Sequence, residues 1–171
     1  REVGVEFNSL SKTYGLAGAR IGFCLGNREV VAQLKRLKSN MDYGMFLPIQ
    51  QAAIAAITGD QSCVESTREA YVRRRNCLCD GFTAIGWPME RPAATMFVWA
   101  AIPSGYETSE AFAMDLVENA GLIVTPGSAF GPSGEGYVRL ALVQDEDAIR
   151  QAVDLVAASG ILSGGKSKVG R

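Results

Sequence analysis

The 171-residue sequence contains no histidine, which removes Ser-His-Asp and Cys-His nucleophile chemistry and every structural zinc arrangement built on imidazole. Any catalysis has to run on lysine, carboxylates, tyrosine or a cofactor. The four cysteines, Cys24, Cys63, Cys77 and Cys79, form no CxxC pair, so they read as reduced thiols, small and apolar, with no metal expected. Long apolar runs are missing too: stretches such as Thr95 to Ile102 fall far short of the roughly 20 residues a membrane-spanning helix requires. Charge of one sign is not in excess. With 17 basic and 18 acidic residues spread along the chain and a net charge of −1, there is no electrostatic footprint for nucleic acid or a membrane surface. A basic and apolar leader is also lacking, which makes a cytoplasmic location the default expectation. The chain starts at Arg1, and Glu2 to Phe7 (EVGVEF) already reads as the inside of a strand, suggesting a fragment or a trimmed product.

What is present is a 47% apolar composition, enough for one sizeable core or one small domain plus a piece of another. Val3 to Phe7 alternates apolar and polar residues, and Ile21 to Leu25 is a short apolar run closed by Gly26-Asn27; both read as strands. Val30, Val31, Leu34 and Leu37 share one helical face over Arg28 to Lys38. Pro48 is expected to separate the Met41 to Leu47 segment from a helix over Ile49 to Ile57, which Gly59 stops. A longer helix is predicted from about Gln61 to Ile85, with Arg68, Arg73, Arg74 and Arg75 mostly solvated. Strands are then expected at Met96 to Ala101, Leu122 to Val124 and Tyr137 to Val143, and helices at Ser109 to Ala120 and Asp145 to Ala158. This mixture predicts a small α/β domain. Residues 163–171, rich in Gly, Ser and Lys, read as a disordered tail.

The segment Asn8 to Gly22, NSLSKTYGLAGARIG, is the richest in chemistry. Ser9 and Ser11 can donate hydrogen bonds to a phosphate, Arg20 can hold one bidentately, and Gly15 and Gly18 let the backbone pass close to a ligand. Lys12 stands among them. A lysine beside fixed cationic charge and partly removed from water has its nucleophilic amine form favoured; a lysine beside serines can equally be a solvated loop residue, and the residues alone leave both readings open. A nucleotide P-loop is set aside, because no glycine pair precedes Lys12 as G-x-x-x-x-G-K-[ST] requires. Arg139 follows a Gly-rich loop and enters a strand with Val138, Leu140 and Leu142. Its planar fork matches a carboxylate, though an ion pair with Asp145 or Glu146 is the structural alternative.

Ser9-Leu10-Ser11-Lys12-Thr13-Tyr14-Gly15-Leu16-Ala17-Gly18-Ala19-Arg20-Ile21-Gly22 resembles the cofactor-attachment signature of class I and II pyridoxal-phosphate-dependent aminotransferases. The resemblance extends over roughly residues 2 to 160 and corresponds to the carboxyl-terminal part of the aspartate aminotransferase fold: the end of the large α/β domain with an interdomain helix (1–58), then the small carboxyl-terminal α/β domain (59–162). It implies that Lys12 is the catalytic lysine forming the Schiff base with pyridoxal 5'-phosphate, that Ser9 and Arg20 bind the cofactor phosphate, and that Ser11 is an additional polar contact. Asn40 to Gln50 (NMDYGMFLPIQ) resembles the segment running past the active site near the subunit interface. Pro126 to Arg139 (PGSAFGPSGEGYVR) resembles the loop and strand that deliver the substrate-carboxylate arginine, Arg139. This stretch and ATMFVW at Ala94 to Trp99 are most similar to the branch containing LL-diaminopimelate aminotransferases.

The implied reaction passes an amino group between an amino acid and a 2-oxo acid, in a protein expected to be a homodimer at full length. The family's partner for the pyridine nitrogen, its ring-stacking aromatic and its phosphate-binding helix start all precede the attachment lysine, and only eleven residues precede Lys12. The chain by itself is therefore expected to be inactive. Two other readings stand beside this one: a pyridoxal-phosphate-dependent C-S lyase of the same fold, and a non-catalytic folded fragment in which Lys12 has no ligand.

Overall fold

The structure is a computed structural model describing residues 2–163; of the expected tail at 163–171, Ser163 ends a 3-10 turn, Ile161–Ser163, and the rest lies outside the described residues. The chain forms two compact units, one up to Arg68 and one from Glu69 onward.

In the first unit, strands β1 (Val5–Ser9) and β2 (Gly22–Gly26) pair antiparallel with Ser9 opposite Gly22. That pairing closes the intervening connection on itself. Helix α1 (Arg28–Met41) starts where the Asn27 side chain accepts from the backbone N–H groups of Glu29 and Val30, filling two donors that a helix start leaves unpaired. Helix α2 (Leu47–Thr58) contains Pro48 in its first turn and so begins before the proline that was expected to precede it. Proline lacks an N–H where none is needed, and its fixed φ suits that position. The apolar face predicted for α1 exists but is not covered: α1 has no buried residue, with Val30 and Leu37 exposed. Two strands offer too little surface for a 14-residue helix. Leu10 and Ala53 are the buried apolar side chains of this unit among the described residues.

Helix α3 (Ser62–Ala84) follows. Of its arginines, Arg68 and Arg73 are exposed as expected, whereas Arg74 and Arg75 are less solvated than their charge suggests. Arg74 donates to the carbonyl of Leu142 at 3.3 Å and Arg75 to that of Pro92 at 3.1 Å, both half-buried, while Arg73 pairs with Glu146 at 3.2 Å. Arg74 and Arg75 thus reach backbone acceptors within their own unit.

The second unit has a three-stranded antiparallel sheet, order β3-β5-β4, built from β3 (Phe97–Ala101), β4 (Thr125–Pro126) and β5 (Tyr137–Ala141). Alternation puts Val98, Ala100, Val138 and Leu140 in the core, where they meet helices α4 (Ser109–Ala120) and α5 (Glu146–Ser159) and the carboxyl-terminal half of α3. Trp87 centres this core. It makes edge contacts to Phe82 and Phe112 at 5.1 and 5.0 Å, and its indole N–H reaches the Ala101 carbonyl at 2.8 Å, so a large apolar body is buried with its polar atom paired. The strand expected at Leu122 to Val124 falls instead at Thr125–Pro126. Gly121, at φ 64°, ends α4 in the left-handed region, and the N–H of Leu122 turns back to the Leu116 carbonyl at 3.1 Å; Leu122 thus closes the helix and is not free to pair in the sheet.

Between β4 and β5 run two 3-10 turns, Gly127–Phe130 and Pro132–Gly134. Their backbones touch: a Cβ on Gly127 would lie 1.9 Å from the Gly134 carbonyl oxygen, and one on Gly134 2.1 Å from that of Gly127. The Glu135 carboxylate ties this loop to the start of α4 by accepting from the N–H of Ser109 at 2.6 Å and of Gly136 at 2.8 Å. These two backbone donors, Ser109 foremost, hold the Glu135 carboxyl below its usual value.

Gly127→Ala is expected to destabilise the protein by roughly 3 kcal/mol, because backbone must move away from backbone; urea unfolding monitored through Trp87 measures this, and an unchanged midpoint would refute the contact. Because Glu135 is held below 4.5 in the folded state, the tether stabilises above that ordinary value and its contribution disappears as pH falls through the folded one. Comparing unfolding of the wild type and Glu135→Gln across pH 7 to 3 should therefore show the difference between them shrinking toward acid.

Candidate functional site

Ser9 closes β1, and Ser11, Lys12 and Arg20 follow on the connection to β2. Leu10 anchors this connection: it is buried, and its carbonyl accepts from the N–H groups of Tyr14 and Leu16 at 3.3 and 3.4 Å. Gly15 turns the chain at φ 66°, a conformation that costs a residue bearing a Cβ. The Tyr14 hydroxyl donates to the Gln61 side chain at 2.9 Å. Arg20 itself sits in the left-handed region at φ 52°, which costs about 1–2 kcal/mol for an L-residue, with its guanidinium donating to the Ala17 carbonyl at 3.0 Å.

The two serines are brought together. Ser9 Oγ donates to Ser11 Oγ at 2.9 Å and accepts from the Ser11 N–H at 3.1 Å, so both hydroxyls are presented side by side at the end of β1. Lys12 is exposed and makes no hydrogen bond or ion pair among the described residues. Of the two readings that the residues left open, the solvated loop lysine describes Lys12 in this chain, where Leu10 is the buried residue of the connection among the described residues. Two hydroxyls, a guanidinium and an unpaired amine on one connection fit a phosphorylated aldehyde: the first three can hold phosphate oxygens, and the amine can attack a carbonyl carbon.

Arg139 belongs to the second unit and lies in the middle of β5, directly opposite Trp99 of β3 and Thr125 of β4. Neither acid proposed as its ion-pair partner is one. Asp145 accepts from the N–H of Ala148 as the cap of α5, and Glu146 takes Arg73. The Arg139 guanidinium lies over two rings, 4.3 Å from the centroid of Phe97 and 4.7 Å from that of Phe130. Its Nη2 donates to the Thr125 hydroxyl across 3.4 Å, and its buried Nε has no acceptor. A half-buried guanidinium with one long hydrogen bond and no counter-ion among the described residues is short of acceptors.

The aromatic surroundings of Arg139 were not anticipated as site residues. Phe130 meets Trp99 edge-on at 5.5 Å, and Trp99 stacks on Tyr137 at 5.7 Å. Thr95, two residues before β3, is held at φ 77°, an outlier for a β-branched residue that strains the entry to the strand. Tyr137 was recoverable from period-two alternation with Arg139; Phe97, Trp99 and Thr125 required the pairing of β3 and β4 with β5.

Comparison with known proteins agrees with these motifs. The sequence profile described as aminotransferase class I and II matches residues 2–156. The chain is 45% identical to an LL-diaminopimelate aminotransferase of Moorella thermoacetica and 50% identical to the glutamate-pyruvate aminotransferase AlaC of Escherichia coli, each over 90% of this chain. It spans about two fifths of the length of these relatives, 39% and 38% respectively. Among solved structures, substrate-bound BacF from Bacillus subtilis is 37% identical and superposes with a TM-score of 0.86, covering 91% of this chain and 40% of that one. An aromatic aminotransferase from Pyrococcus horikoshii gives a TM-score of 0.87 at 27% identity, covering 93% and 43%.

Proposed function

The chain belongs to the class I and II aminotransferase family, whose members are pyridoxal-phosphate enzymes, and on that footing we propose a role in amino-group transfer. The whole protein passes an amino group between an amino acid and a 2-oxo acid, and does so as a cytoplasmic homodimer. Because the chain spans about two fifths of its relatives' length, the activity is assigned to the whole protein, and the chain alone is expected not to turn over. Residues 1–58 belong to the end of the large cofactor-binding domain with the interdomain helix, and 59–162 to the small domain.

Lys12 attaches the cofactor through its amine. Ser9, Ser11 and Arg20 hold the phosphate, exchanging the hydrogen bond between the two serines and the Arg20 bond to Ala17 for bonds to phosphate oxygens. When bound, pyridoxal phosphate supplies an electron-poor ring that takes up the electron pair left as the substrate loses its Cα proton. With the cofactor bound, the Lys12 Nζ would be the base that receives that proton. Arg139 grips the substrate carboxylate. The observation that carries this reading is the shortage of acceptors at its guanidinium, with Nε buried and unpaired; two carboxylate oxygens would supply what the protein does not.

Two variants of the whole protein test these assignments. Lys12→Ala should abolish the absorbance band of covalently attached pyridoxal phosphate, together with the borohydride-fixed label on the peptide carrying Lys12; a band that persists would remove Lys12 from the reaction. Arg139→Lys keeps the charge but loses the fork, and should raise KM for the 2-oxo acid roughly 10- to 100-fold, with a smaller change in kcat. Release of ammonia and pyruvate from cysteine without an amino acceptor would instead identify a C-S lyase, and absence of any cofactor band in the wild type would leave a non-catalytic protein.

A further inference from the structure

Among the described residues, charge compensation at Arg139 comes from rings rather than from an acid. That choice matters chemically. A carboxylate partner would neutralise the guanidinium by occupying its N–H donors, whereas an aromatic face attracts the cation without accepting those hydrogen bonds. Phe97 at 4.3 Å and Phe130 at 4.7 Å therefore stabilise the charge and leave most of the donors open.

We infer that Phe97 and Phe130 are positioning residues for the substrate carboxylate, holding the Arg139 guanidinium plane so that its free N–H groups meet a carboxylate without competition. The inference rests on the carboxylate role proposed above for Arg139. Phe130 is the more telling of the two. Its side chain is 52% exposed, so burial alone does not account for a phenyl ring at that place. It ends the 3-10 turn Gly127–Phe130, whose path is fixed by the backbone contact between Gly127 and Gly134 and by the Glu135 tether to α4. Trp99 sets its tilt from the side, at an interplanar angle of 70°, and Trp99 is itself stacked on Tyr137. The ring thus reaches the guanidinium from a rigid support. Phe97 reaches it from β3, next to the strained entry at Thr95.

Titration of the whole pyridoxal-phosphate-loaded protein with pyruvate, a small 2-oxo acid, tests the inference. Phe130→Leu, at a half-exposed position that does not jeopardise folding, should weaken pyruvate binding roughly 5- to 20-fold while the Lys12-dependent cofactor band stays in place. Phe130→Tyr restores the ring and should return binding to within about twofold of the wild type. In the Arg139→Lys background, Phe130→Leu should cause no further loss, since the two residues act as a unit. A second readout is independent of turnover: the side-chain Nε–H resonance of Arg139, displaced by the ring currents of two phenyl groups, should move toward the ordinary arginine position in Phe130→Leu. If Arg139→Lys abolishes pyruvate binding while Phe130→Leu binds normally, the positioning role is overturned and the carboxylate role of Arg139 stands. If Arg139→Lys binds pyruvate as well as the wild type, both are overturned.

Discussion

The antiparallel register of β3 and β5, with Trp99 opposite Arg139, governs the second unit. Strand side chains alternate between faces, so this one pairing sends Val98, Ala100, Val138 and Leu140 inward and leaves Phe97, Trp99, Tyr137 and Arg139 together on the other side. A slip of one residue would bury the arginine and expose the valines, at a cost no local rearrangement could offset. Core and candidate site are in this sense one constraint. The packing around Trp87 that stabilises the inner face also holds the outer face in the arrangement that its chemistry requires.

The first unit is organised differently. Its connection from Ser9 to Gly22 is shaped by local interactions: the buried Leu10 with its two accepted hydrogen bonds, the paired serines, and the left-handed turns at Gly15 and Arg20. Little long-range packing supports it. Phe7, Leu25, Leu37, Phe46 and Leu47 are all exposed, and a surface that apolar on so small a unit is characteristic of an element that belongs against other protein. The group proposed to attach the cofactor and the group proposed to bind substrate thus stand on supports of very different rigidity.

Much of this was legible in the sequence, for identifiable reasons. Helix α4 is observed at Ser109 to Ala120, as expected, and the structure shows Thr108 and Gly121 at its two ends, residue types that report directly on capping. The attachment segment was legible because its chemistry is contiguous: Ser9, Ser11, Lys12 and Arg20 are near in space because they are near in sequence. Arg139 was found through its Gly-rich loop, but its environment was not, since Phe97 and Thr125 reach it by strand pairing across intervals that carry no periodic signal. The solvated reading of Arg74 and Arg75 failed for a related reason. Charge on a helix suggests water, and nothing in the neighbouring residues indicates that the Leu142 and Pro92 carbonyls lie within reach.

The contact between Gly127 and Gly134 has a bearing on how this protein can change over time. Because the loop path is set by two main chains pressed together, the intervening side chains at Ser128, Ala129 and Phe130 contribute little to its course. Mutation can alter what the tip presents beside Arg139 without redirecting the chain that carries it. The glycines bear the rigidity and, beside Phe130, Ser128 and Ala129 are left free to vary, so a lineage could explore new selectivities at this place while the framework beneath stays as it is.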